Sequence, residues 1–246
     1  QDLASFGIDY VLCLPFNQKL RSMSADQFIQ SILLDGLKIS HLIVGDDFRF
    51  GCDRTGDYQL LQTVGSNAGF SVEDTKTFEL EGKRVSSTRV RECLCANDLE
   101  SANTLLGRPY RMSGRIGYGR QLGRTIGVPT ANVILQRNKL PMTGVYAVKA
   151  TEITVAACHE SSVLDQGGKT VEWQGVANIG IKPTVAGTPE PSLEVHIFDF
   201  SDDLYGKRLT IEFCQKIREE KKFNGLDELK AAIANDMQVA RNFFCN

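Results

Sequence analysis

The 246-residue chain is short of the features that mark specialised environments. No apolar run approaches the roughly 18 residues of a membrane-spanning helix, and no secretory leader pattern is present. Against 30 Asp and Glu there are 28 Lys and Arg, a net charge of −2, so no basic surplus points to nucleic acid or to an anionic membrane. The seven cysteines contain no C-x-x-C pair, and Cys93-Leu94-Cys95 lacks partner ligands. All seven read as reduced thiols of a cytoplasmic protein. Histidine is scarce too, with only His41, His159 and His196, and no internal repeat or low-complexity segment appears. The first residue is Gln1 rather than Met, in what reads as the end of a helix, so a missing upstream segment is expected. What remains is ordinary: 42% apolar and 24% charged residues, enough chain for one large or two smaller domains.

The first hundred residues alternate strand and helix patterns. "DYVLCLPF" reads as a compact apolar strand, "HLIVGDDF" as a second buried strand, and "FSVEDTKTF" as a third. Between them lie the helix "SADQFIQSILL", with a Ser24/Gln27 capping box, and "GDYQLLQTVGSNAGF", closed by Gly69. "SSTRVRECLCA" and "DLESANTLLG" are two further helices, the latter closed by Gly107. Such alternation predicts βαβ units and a parallel sheet, with ligands at the carboxyl ends of the strands. From Arg111 the pattern changes to short strands separated by turns: "YRMSGRI", "VYAVKATEI", "VEWQGVANIG", "LEVHIFDF" and "RLTIEF". That predicts a small antiparallel barrel. One amphipathic helix follows, with Leu226, Leu229, Ile233, Met237 and Phe244 on one side and Asn224 and Asp227 as cap candidates. The boundary is placed near 107–109.

Two nucleotide motifs fail on inspection. Gly117-Tyr118-Gly119-Arg120-Gln121-Leu122-Gly123 is one residue off the dinucleotide fingerprint and feeds a strand, not a helix. Gly168-Lys169-Thr170 ends like a P-loop, but Val163 stands where the first Gly belongs. A glycine loop can still bring its N–H groups to a phosphate, with Arg120 and Arg124 for charge. The plainer alternative is a flexible hairpin with solvated arginines.

The next stretch is "GRTIGVPTANVIL". Thr130 and Asn132 stand at i and i+2 of a strand and so point to one face. A hydroxyl and an amide carbonyl suit Mg²⁺ on a nucleotide, which takes few ligands from protein. Pro129 fixes the backbone at the strand's start. A Pro-Thr turn with a self-capping Asn is the plain alternative. In "SLEVHIFDF", Leu193, Val195 and Ile197 alternate with Glu194, His196 and Phe198. Glu194 on a rigid strand is a candidate general base, whereas His196 reads as a solvated strand residue. Asp202, Asp203 and Tyr205 follow in a turn. "IREEKKFNG" offers Arg218, Lys221 and Phe223, cations and a ring suited to a flat phosphorylated ligand, or simply a charged linker. In the first half, "SSTRVRE" opens a helix with Ser86, Ser87, Thr88 and Arg91, an anion site or an N-cap with surface arginines. "VGDDFRFG" sets Asp46, Asp47 and Phe48 in a loop after a strand.

In order and spacing, "VGDDFRFG", "SSTRVRE", "LLGRPYRMSGRI", "GRTIGVPTAN", "GVYAV", "GVANIGIKPTV", "LEVHIFDFSDDLYG" and "IREEKKF" resemble the bacterial bifunctional riboflavin kinase/FAD synthetase family over essentially the whole chain. The resemblance implies an α/β plus β protein. Residues 1–107 would be a Rossmann-like FMN adenylyltransferase domain, and 108–246 a six-stranded antiparallel β-barrel riboflavin kinase with a C-terminal helix. It implies ATP as co-substrate with Mg²⁺, riboflavin and FMN as substrates, and FMN and FAD as products. Thr130 and Asn132 would hold metal and phosphate, Glu194 would activate the ribityl 5′-hydroxyl, and Gly117, Arg124, Ile197 and Tyr205 would meet ATP. Arg218, Lys221 and Phe223 would contact flavin. In the first domain Asp47 and Phe48 would meet flavin, and Ser86, Ser87, Thr88 and Arg91 would meet ATP. The family's H-x-G-H motif has no match here, so adenylyl transfer is not expected of the chain as given. A kinase with a purely structural first domain and a non-catalytic flavin-binding module are the alternatives. Protein partners are left open.

Overall fold

The computed structural model describes residues 3, 6–45, 47–119, 123, 126–153, 171–183 and 189–245. Arg120, Arg124, Asp46, His159 and the Gly168–Thr170 motif lie outside the described residues. The chain divides into two compact units, Gln1–Arg84 and Val85–Asn246.

In the first unit, helix α1 (Gln18–Arg21) precedes α2 (Ala25–Phe28), which continues as a π-helical segment, Ile29–Gly36. The Ser24/Gln27 capping box forms as the sequence predicts: Ser24 Oγ accepts from Gln27 N at 3.1 Å, and Gln27 Oε1 accepts from Ser24 N at 3.0 Å. Strand β1 (His41–Gly45) pairs in parallel with β2 (Ser71–Thr75) across helix α3 (Tyr58–Ala68). Asp57 caps α3 by accepting from Leu60 N at 2.9 Å, and Gly69 ends it at φ 84°, a conformation that costs glycine nothing. A short hairpin, β3 (Glu79–Leu80) and β4 (Lys83–Arg84), closes the unit. Its core gathers Ala25, Ile29, Leu33, Phe50 and Leu61.

Two expectations for this unit need correction. "DYVLCLPF" is not a strand: residues 8–16 carry no regular structure, with Tyr10 93% and Phe16 80% exposed. A strand is held by a ladder partner, and among the described residues none pairs with it. β1 is also less buried than predicted, with Ile43 57% exposed.

In the second unit, α4 (Ser87–Cys95) and α5 (Leu99–Leu106) precede the barrel. Gly107 ends α5 at φ 66°. These helices are tied to the strands beyond them. Asn103 Oδ1 accepts from Tyr110 N at 2.8 Å, and the Tyr146 hydroxyl donates to Asn97 Oδ1 at 2.8 Å. The compact unit begins at Val85, upstream of the 107/108 boundary that the change of strand pattern and the resemblance imply.

The six strands are β5 (Arg111–Gly117), β6 (Ala131–Ile134), β7 (Gly144–Glu152), β8 (Glu172–Pro183), β9 (Pro189–Ile197) and β10 (Arg208–Arg218). They close in the order β10-β5-β6-β9-β8-β7, antiparallel throughout. Met112, Val133, Ile179, Leu193, Val195, Leu209, Ile211 and Phe213 fill the interior, each contributing about 1.5–3 kcal/mol through burial. Helix α6 (Leu226–Cys245) packs Met237, Ala240 and Phe244 on Ala147, Val176, Phe198 and Ile217. Leu226, predicted on that face, is 55% exposed. The predicted cap is also different: Glu228 Oε2 accepts from Asn224 N at 3.1 Å, so Asn224 gives its backbone and not its side chain.

Candidate functional site

The barrel's register turns separate motifs into one row. Gly117 of β5 stands opposite Asn132 of β6, Asn132 opposite Glu194 of β9, and Glu194 opposite Asn178 of β8. Directly opposed residues of neighbouring strands hold their side chains about 5 Å apart. The inward partners Val133, Leu193, Val195, Ala177 and Ile179 are at most 2% exposed, so the polar row lies on the outer face.

Thr130 stands two residues before Asn132, just ahead of β6. The glycine loop lies directly on this pair. A Cβ at Gly119 would come within 3.3 Å of the Asn132 side chain, and one at Gly123 within 3.3 Å of Thr130 Oγ1. Glycine at these positions is what lets the loop backbone approach so closely. The approach is locked from the other side. His196 Nδ1 lies 2.8 Å from the Pro129 carbonyl, which can only accept, so Nδ1 carries the hydrogen. His196 thus fastens β9 to the turn before β6, and the proline carbonyl has a partner.

Beside the row a cavity of about 650 Å³ opens, lined among others by Tyr118, Pro129, Thr130, Val195, Ile197, Asp202 and Tyr205. Three predicted ATP residues, Thr130, Ile197 and Tyr205, converge there. Tyr118 stacks on Tyr205 with ring centroids 4.2 Å apart. Asn132 and Glu194 are not in its lining and stand in the outer-face row beside it. Among the described residues no cluster of three or more His, Cys, Asp or Glu could hold a metal.

The predicted flavin residues of the second unit, Arg218, Lys221 and Phe223, lie together and have protein partners. Arg218 is occupied by Asp236 of α6: Nε donates to Oδ1 at 2.9 Å and Nη2 to Oδ2 at 2.7 Å. Its Nη1 donates to Glu219 O at 3.0 Å. Its remaining face lies 5.4 Å from the Phe223 ring centroid, with Lys221 Nζ 5.5 Å from the same ring. Lys221 also binds Glu228 at 2.8 Å, which holds that carboxyl below its ordinary value, helped by the Asn224 N–H.

In the first unit Asp47 pairs with Arg84 at 3.2 Å, and Phe48 stacks on the buried Phe50 with centroids 5.5 Å apart. In the second unit the Ser86 hydroxyl caps α4 by accepting from Arg89 N at 3.3 Å. Arg91 Nη1 donates to Ser87 Oγ at 3.2 Å, and Thr88 is exposed. Sequence reasoning missed Asn178, Lys182, Tyr118 and Asp236. Period-two alternation along "GVANIGIK" would have put Asn178 and Lys182 on one face; nothing local marks Asp236.

A family model described as riboflavin kinase matches residues 106–244, and one described as FAD synthetase matches residues 1–89. A curated relative from Pseudomonas fluorescens, named a bifunctional riboflavin kinase/FMN adenylyltransferase, is 52% identical over 235 residues, covering 96% of this chain and 70% of the relative. The chain belongs to the bifunctional riboflavin kinase/FMN adenylyltransferase family. The relative of the same name from Escherichia coli K12 is 47% identical over 242 residues, covering 98% of this chain and 72% of its own. A solved structure described as a macrolide-efflux protein from Streptococcus pneumoniae superposes with a TM-score of 0.72 at 29% identity, covering 98% of this chain and 72% of that one. Its description stays with that protein, and its likeness bears on the fold. Among the described residues no helix is long and apolar enough to cross a membrane. Within this bifunctional family the two family models leave 90–105 unmatched, the stretch that carries most of α4 and α5.

Proposed function

We propose that the barrel phosphorylates riboflavin from ATP, with the nucleotide in the cavity and the acceptor hydroxyl at Glu194. The observation that carries this is the row Gly117–Asn132–Glu194–Asn178 beside a cavity that takes in Thr130. The ribityl 5′-oxygen attacks the γ-phosphorus, the bond from phosphorus to the ADP oxygen breaks, and the hydroxyl proton passes to the Glu194 carboxylate. Little covalent chemistry is asked of the protein; placement and charge neutralisation do the work. The loop glycines admit phosphate oxygens to backbone N–H groups, and Thr130 and Asn132 face that loop. Both offer hard oxygen, which fits Mg²⁺ carried in on the nucleotide; the ion would supply charge neutralisation at the transferring phosphoryl group. Arg124 belongs to this reading as an ATP contact. Phe223, flanked by Arg218 and Lys221, supports a flavin platform.

The name of the family covers a second reaction, adenylylation of FMN to FAD, and the FAD synthetase match over 1–89 supports assigning it to the first domain. Asp47 and Phe48 are its flavin candidates, and Ser86, Ser87, Thr88 and Arg91 its ATP candidates. The chain carries no H-x-G-H sequence, so we assign FAD formation to a form of the protein that includes it. The functional domain boundary is placed at 107/108, and six free thiols among the described cysteines support a cytoplasmic setting. The test is FMN formation from riboflavin, ATP and Mg²⁺, followed by chromatography. A folded sample that makes none across a range of Mg²⁺ and flavin concentrations defeats the kinase reading.

A further inference from the structure

Glu194 is not alone on the outer face. Its Oε1 is in close contact with the ammonium of Lys182 on β8. The register makes this pairing unusual. Lys182 stands directly opposite Glu190, and Glu194 directly opposite Asn178. The lysine therefore passes over the nearest carboxylate and leans back along its strand to the one in the polar row. Gly180, the residue between, carries no side chain, and the Glu220 carboxylate fills the space above it.

The pair is half-buried and has polar neighbours. Ser192, opposite Gly180, is 6% exposed, and its Oγ has no hydrogen-bond partner among the described residues. Glu220 lies over Gly180 so closely that a Cβ there would collide with its carboxylate, and Glu220 Oε1 accepts from Asn178 Nδ2 at 3.3 Å. A buried hydroxyl with nothing to bond is costly, so Ser192 leaves this stretch of the outer face without a polar partner of its own beneath the Lys182 side chain.

Direction along the strand says which group. From Glu194, Val195 and Ile197 run toward the nucleotide cavity. Ser192, Glu190 and Lys182 run the other way. Lys182 approaches the carboxylate from the side that the acceptor must occupy. We propose that Lys182 is a positioning residue for phosphoryl transfer: it holds Glu194 from the acceptor side, where a polyol chain ending in a primary hydroxyl would lie. This rests on the kinase reading of Glu194.

The role does not follow from the ion pair's strength, since its side chains are 40% and 30% exposed and such pairs add little to stability. It follows from orientation: a base misplaced by an ångström loses rate without losing its substrate. The experiment compares K182M, K182R, E194Q and the double variant K182M/E194Q by steady-state kinetics with riboflavin and ATP, alongside thermal melts. K182M is expected to lower kcat about 10-fold, to raise the riboflavin KM, and to leave the ATP KM within about 2-fold. K182R should recover most of the rate. In the E194Q background, K182M should change kcat by less than about 2-fold, because a residue acting through Glu194 has nothing left to position. Wild-type kinetics in K182M beside a slow E194Q overturns the role of Lys182 alone. So does an equal K182M effect in both backgrounds, or an ATP KM that moves with it. A wild-type kcat in E194Q instead overturns the base assignment beneath it.

Discussion

Asp236→Asn separates two accounts of Arg218, as a flavin contact or as a brace between β10 and α6. The Asp236 carboxylate is 3% exposed and takes two guanidinium nitrogens at 2.7–3.1 Å. Removing one partner of a fully buried pair costs about 3–5 kcal/mol, because the remaining charge is left uncompensated. Arg218 is 26% exposed and keeps part of its water, which lowers the expectation to about 2–4 kcal/mol. For a cooperative unit of this size, residues 85–246, that is a fall in Tm of about 5–12 °C. Differential scanning calorimetry of D236N, R218A and the double variant measures it. The brace account expects both single variants to melt early and the double to lose much less than their sum. It also expects a raised riboflavin KM in D236N, since the guanidinium beside Phe223 loses its anchor. A D236N Tm within about 2 °C of wild type refutes the reasoning. So would an R218A protein of full stability that has lost only flavin affinity.

Glu194→Gln should lower kcat by about 10²–10⁴-fold with little change in substrate affinity, and equal kcat with a raised KM would make it a binding residue instead. Thr130→Ala and Asn132→Ala should shift the Mg²⁺ requirement upward with the barrel still folded, read by metal titration of each variant; unchanged metal dependence in both removes them from the metal site. Supplied with FMN and ATP, this chain should form no FAD, whereas a chain extended to include an H-x-G-H segment should; FAD from the short chain refutes the assignment. The Glu228 carboxyl is held below its ordinary 4.5 by Lys221 and the Asn224 N–H, and Asp199 below its ordinary 3.8 by Arg241. A depressed folded value means their stabilisation is present above the ordinary values and lost as pH falls through the folded ones. Melts from pH 6 down to pH 2 should therefore show a shallower acid-side loss in E228Q than in wild type, and identical slopes would count against the pairing.

The sequence by itself settled whatever depends on neighbours a few residues apart. The Ser24/Gln27 box and the glycine stops at Gly69 and Gly107 are legible because caps and turns are satisfied within one turn of chain. Period-two alternation likewise placed Leu193, Val195 and Ile197 away from Glu194. Other assignments waited for the tertiary structure. Asp9–Phe16 has the composition of a strand and is none, because a strand exists only with a ladder partner from elsewhere in the chain. Arg218 lies in a motif suggestive of a ligand, yet its carboxylate is 18 residues away on a helix. The row from Gly117 to Asn178 brings together residues from four strands. A slip of one residue in any pairing would turn its side chains to the other face, and that register is set by the closed barrel as a whole.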